Sequence, residues 1–389
     1  MKQELSDMLA EAKSDPPPLR YSVEDAVTAG RKRQRRLRAA WTGAGSVAAV
    51  VAVAAAIAVP QIVTDKRPTR TTPVAPAASQ PAKQEPAPFE YPADKFSGNI
   101  AGFKVGNLTV SDTVHVTPGY QVAIVVAPGH GTPVQDAAGT IHQMPNDVGR
   151  LVVYRQGVFA PAQAKKSGER VSVNGSTGYY QKPVATKSPI KIPGRVFQTE
   201  AILTWEYDDN AWAVVTASAT AKVSKQQLIA LAGKVTSGTP EPVKIGFKLG
   251  YVPDGFRLTA AGSSDSMLGF PLDGESYALL LRGNLPFRAL TAPVQDPYVV
   301  NDKQLPLLQL AVYPHWYAKY EPKAGLPKTA PFCATTSLCY RLSEDGKYEI
   351  ELGGGGTVPD SELIKVLKSI TFADPTDAGS WFDATDAVS

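Results

Sequence analysis

Val223-Ser224-Lys225-Gln226-Gln227-Leu228-Ile229-Ala230-Leu231-Ala232-Gly233-Lys234-Val235 lies without a gap over Val358-Pro359-Asp360-Ser361-Glu362-Leu363-Ile364-Lys365-Val366-Leu367-Lys368-Ser369-Ile370. Each stretch predicts a capped amphipathic helix. Ser224 with Gln227 forms a capping-box pattern, and Pro359 stands near a first helical turn. Leu228, Leu231, Ala232 and Val235 fall on one face, and Leu363, Val366, Leu367 and Ile370 on its counterpart. The match continues upstream. Gly102-Phe103-Lys104-Val105-Gly106 recurs as Gly246-Phe247-Lys248-Leu249-Gly250, and Leu151-Val152-Val153-Tyr154 as Leu310-Ala311-Val312-Tyr313. A diverged internal repeat of this kind marks two structural units.

Strand-like runs precede each helix: Tyr120–Val126, Leu203–Tyr207, Trp212–Val215, Tyr277–Leu281 and Tyr348–Leu352. They are short, rich in β-branched and aromatic residues, and bounded by turn signals. The expected fold class is therefore α+β. Two diverged modules, 93–240 and 241–373, would each pack an antiparallel sheet against a C-terminal amphipathic helix. Between Tyr180 and Trp205 the first module holds an extra Lys/Pro/Thr-rich segment, so its middle strands have no unique match in the second.

Farther out, Arg31, Lys32, Arg33, Arg35, Arg36 and Arg38 precede a run without a charged side chain, from Ala39 to Val63. About 20 apolar residues span a hydrocarbon core of about 30 Å, and only a helix pairs its own backbone there. The expectation is one transmembrane helix at 41–63. Basic residues resist translocation, which puts the segment 1–40 in the cytoplasm and everything beyond about residue 64 outside. A cleaved secretory signal ending near Ala56-Ile57-Ala58 is the competing reading. Residues 64–92, rich in Pro and Ala, read as an extended linker, and the acidic stretch 374–389 as a disordered tail. The net charge of +4 comes from the basic run, since removing those six charges leaves −2. No direct nucleic-acid partner is expected.

The two cysteines, Cys333 and Cys339, fall on the outer side of this topology, where oxidation is permitted. A disulfide stapling a hairpin is expected there, about where the first module has Val173–Tyr180. Two thiols with no histidine nearby in sequence make an incomplete metal site, so no metal is expected. Catalytic patterns are weak. His115, His130, His142 and His315 lack zinc-hydrolase spacing. Ser188-Pro189-Ile190-Lys191 fits Ser-x-x-Lys, but its Lys-Thr-Gly-like companion Lys166-Ser167-Gly168 precedes it instead of following. Gly353-Gly354-Gly355-Gly356 lacks the Lys-Ser/Thr ending of a phosphate loop and reads as a strand-to-helix connection. The chain reads as non-enzymatic and without cofactor. His315, Trp316, Tyr317 and Tyr320 group aromatics after a strand and form a candidate ligand surface, with core packing as the competing reading.

The N-terminus has an acidic short helical patch, the break Asp15-Pro16-Pro17-Pro18, the Arg-rich run and an Ala/Val stretch. It resembles those of actinobacterial single-pass membrane proteins encoded beside extracytoplasmic-function sigma factors. The outer part has Tyr251-Val252-Pro253-Asp254-Gly255-Phe256 opening one unit and Leu203-Thr204-Trp205 near the close of the other. It resembles LolA/RseB-like sensor modules. The resemblance implies a membrane-anchored envelope sensor or regulatory protein, meeting a sigma factor through residues 1–40 and an envelope ligand outside. Two departures keep a second reading open: no His-x-x-x-Cys-x-x-Cys motif is present, and the inner segment is shorter than a sigma-wrapping domain. That second reading is an extracytoplasmic binding or scaffold protein without signalling.

Overall fold

The run Ala211–Ala217, Ala-Trp-Ala-Val-Val-Thr-Ala, is buried at every position, which a strand achieves only when both faces of its sheet are covered. The computed structural model describes residues 89–388 apart from 132, 136–139, 187–196, 199, 264–274, 284–289, 291–298, 301–302, 305, 317–326, 328 and 375–376. Most of the ordered chain within this range is antiparallel strand, and one sheet runs through both halves. From one edge its order is Phe332–Thr335, Leu338–Leu342, Tyr348–Gly353, Leu307–Pro314, Ser276–Arg282 and Phe256–Gly262. It continues through His115–Val116, Tyr120–His130, Pro145–Tyr154, Ala211–Ala217, Ala201–Asp208, Ser176–Gln181 and Glu169–Val173.

The repeat is visible in this winding. In each half three strands run in chain order across the sheet, and the last strand of the half returns to lie beside the third. Pro145–Tyr154 and Leu307–Pro314, which carry the recurring Leu-x-Val-Tyr stretches, hold equivalent places. The α+β expectation of two separate sheets is nevertheless wrong. The chain is predominantly β, and the halves fuse where Ala261 and Gly262 pair with Val116 and His115. Fusion removes two open edges, each of which would expose unpaired backbone groups. Gly262 permits it: a Cβ there would stand 2.2 Å from the Val114 carbonyl oxygen.

The helices are short and lie on the sheet. Helix α1 spans Ala162–Ser167, α2 Lys225–Ala232, α3 Asp360–Lys368 and α4 Ala384–Ala387. The Ser224–Gln227 capping box forms in both directions at the start of α2. Helix α3 has Asp360 and Glu362 in its first turn and Lys365 and Lys368 in its last, matching the helix dipole. Leu228, Leu231 and Ala232 of α2 pack with Leu151, Val153 and Val215 on the first half's sheet. Leu363, Val366 and Leu367 of α3 pack with Leu310, Val312 and Ile350 on the second. Side chains from the outer hairpins close the helix ends. Asn174 Nδ2 donates to the Gly233 carbonyl (2.7 Å), and Arg341 Nη1 donates to those of Leu367 and Ile370 (both 2.8 Å). The opposite sheet face concentrates aromatics, among them Tyr120, Tyr154, Trp212, Tyr277 and Tyr313.

Both ends of the described region differ from expectation. The last residues of the expected linker are packed: Phe89 is buried against Tyr207, and the Arg155 guanidinium sits 4.7 Å over the Tyr91 ring. The stretch 377–388, expected to be disordered, is folded. Phe382–Asp383 pairs with Lys244–Ile245, and Ala384 and Ala387 are buried in the second half's core. Small alanines fit against strands Lys244–Ile245, Phe247–Leu249 and Phe256–Gly262, which acidic composition alone does not reveal. The Gly353–Gly356 connection is set by conformation: Gly355 and Gly356 have φ of +56° and +79°. No helix among the described residues is long and apolar enough to cross a membrane, and the segment 41–63 lies outside them.

Candidate functional site

Gln121 is fully buried in the strand Tyr120–His130, and a polar side chain in that position needs partners. Its Oε1 accepts from the N–H groups of Asn99 (2.9 Å) and Ile100 (3.2 Å) and from Thr113 Oγ1 (2.9 Å), while its Nε2 donates to Asn99 Oδ1 (2.8 Å). This knot fixes strand Ser97–Ile100, which pairs with Ser237–Pro242 as a two-stranded ribbon beside the main sheet. Between the ribbon and the C-terminal segment opens a cleft of about 770 Å³. Asn99, Asp112 and Thr113 line it from the first half; Lys244, Ser263 and Trp381 line it from the second. The Trp381 indole N–H donates to the Asp374 carbonyl (3.0 Å), and Asp112 Oδ1 accepts the Gly102 N–H (2.7 Å). The cleft therefore straddles the boundary between the halves, with carboxylates, hydroxyls and one indole at its walls.

His315 and Trp316 stand elsewhere, on the aromatic face of the second half. His315 Nδ1 lies 3.4 Å from Oε2 of Glu349, which is only 2% exposed. Burial first, and then the neighbouring Glu351, push the Glu349 carboxyl up to about 8. At neutral pH it keeps its proton, so the contact is a neutral acid facing an imidazole and not an ion pair. Trp316 stacks on His142, with ring centroids 3.6 Å apart and planes 4° apart. His142 and Met144 belong to the long connection between Tyr120–His130 and Pro145–Tyr154, which reaches from the first half onto the second. One face of the expected aromatic platform is thus covered by protein. Tyr317 and Tyr320 lie outside the described residues, as do Arg31, Lys32, Arg33, Arg35, Arg36 and Arg38.

Cys333 and Cys339 are bonded across the hairpin formed by Phe332–Thr335 and Leu338–Leu342. In order across the sheet, this hairpin takes the place of Ser176–Gln181 and Ala201–Asp208, not of the Val173–Tyr180 hairpin. Sequence reasoning missed a neighbour. An Asp360 carboxylate oxygen and the two sulfurs all lie within 4.8 Å of one another. Asp360 Oδ1 also accepts the Ser337 N–H from the hairpin turn (2.8 Å). Only the topology brings the start of α3 to that turn, so no local signal could have found it. Likewise, the cleft joins five separate stretches of chain, and Glu349 reaches His315 from the adjacent strand. Ser188 and Lys191 lie outside the described residues, and Lys166-Ser167 close helix α1.

No protein-family model matches this chain, and comparison with characterised proteins gives no match.

Proposed function

We propose that this chain is a membrane-tethered protein of the cell envelope whose β-domain faces outward and binds a polar envelope ligand in the cleft between its halves. It acts as a sensor and not as an enzyme. The cleft is the observation that carries this reading, because ligand sites favour boundaries between packed units. Carboxylates, hydroxyls and the Lys244 ammonium suit a ligand rich in hydroxyl or amide groups, and Trp381 offers it an apolar plane. The uncharged run Ala39–Val63 and its basic flank support the tether and its orientation. The Cys333–Cys339 bond supports an oxidising compartment. In this reading residues 1–40 meet a cytoplasmic partner, a sigma factor by resemblance.

Hydrogen exchange of the full chain, with and without soluble muropeptides, tests the site. Slower exchange over 97–101 and 237–244 is expected. Unchanged exchange there, or protection confined to Leu307–Pro314 and His315–Trp316, would discard the cleft. Crosslinking followed by co-purification tests the signalling arm: a sigma factor should be captured through residues 1–40.

A further inference from the structure

We propose that reduction of the Cys333–Cys339 bridge opens a site for a thiophilic divalent cation such as Zn2+, held by the two thiolates and the Asp360 carboxylate. The donors are already gathered: both sulfurs and a carboxylate oxygen lie within 4.8 Å of one another. Zinc takes thiolate sulfur at about 2.3 Å and carboxylate oxygen at about 2.1 Å, so once the bond is cut the two sulfurs must part to roughly 3.8 Å, with the Asp360 carboxylate already beside them. Asp360 is held in place for the task. Its Oδ1 accepts the Ser337 N–H of the turn joining the two cysteine strands, which leaves Oδ2 to serve as the ligand. Such an outer hydrogen bond orients metal-binding carboxylates.

One further feature favours the reduced form as a ligand set. Asp360 opens helix α3, nine residues long, and the N–H end of a helix stabilises nearby thiolates. The opening step is thiol–disulfide exchange. Two thiols of an external reductant become a disulfide, and Cys333 and Cys339 accept two electrons and two protons. The cation then displaces those two protons from sulfur. The oxidised and metal-bound forms exclude each other, since the bonded sulfurs are not thiolates.

The full chain is reduced with a phosphine, which here supplies the two electrons, and titrated with Co2+ and then Zn2+ against a chromogenic chelator. Reduced protein should bind one equivalent and show a sulfur-to-cobalt charge-transfer band; oxidised protein should show neither. Asp360→Asn should weaken binding by about tenfold or more, with an unchanged circular dichroism spectrum. Cys333→Ser should abolish the band. A reduced chain without the band overturns the proposal, and so does an Asp360→Asn variant that binds as tightly as the unaltered chain.

Discussion

Glu349 is a carboxyl held in a nearly dry place. Its carboxyl titrates near 8 in the fold against an ordinary 4.5. Below about 4.5 it is neutral folded and unfolded, and the shift costs nothing. Between 4.5 and 8 the unfolded chain releases the proton while the folded chain keeps it, so stability falls as pH rises through this window. Glu349→Gln should flatten the decline and raise stability at pH 8 by roughly 2 kcal/mol. Urea denaturation at pH 5.5 and 8.5 measures both, and a wild-type protein equally stable at the two values would refute the assignment. Little of this was legible in the sequence. Glu349 sits in a run, Tyr-Glu-Ile-Glu-Leu, whose alternation suggests acids on a wetted face. Only the second covered face of the sheet makes that position dry.

Among the elements, the helices were the most legible part, because capping and 3.6-residue periodicity are local. The five expected strands also lie inside observed ones. Their joining was not legible. Within the sheet the seam is two residues on each side, Val116 and His115 against Ala261 and Gly262, with an isolated bridge from Phe159 to Leu290 beside it, and no local pattern announces pairings so brief and so distant in the chain. Rings reinforce it, with His115 5.7 Å from Tyr277 across the junction. Gly262→Val would drive a side chain into the Val114 carbonyl, which stands 2.2 Å from the Cβ position. The cost should be about 3 kcal/mol, with the single calorimetric transition dividing into two as the halves uncouple. One undivided transition at the wild-type temperature would show that the seam does not couple them.

For the molecule as a whole, closure depends on its final ordered segment. The stretch 377–388 adds a short strand beside Lys244–Ile245, buries Ala384 and Ala387, and walls the cleft with Trp381. A chain ending at residue 376 should lose roughly 2–4 kcal/mol. Scanning calorimetry would detect that loss, and an unchanged melting temperature would contradict the packing. The fused sheet finishes at two modest edges. One, Glu169–Val173, begins with Glu-Arg, and the other, Phe332–Thr335, is pinned by the disulfide. Such edges discourage strand addition by other copies. Inside the molecule the opposite holds, for the strands meeting at the seam match in register and direction. Severed between its halves, the protein would yield two pieces with cohesive ends, and the pieces expressed together should reassemble as a split pair.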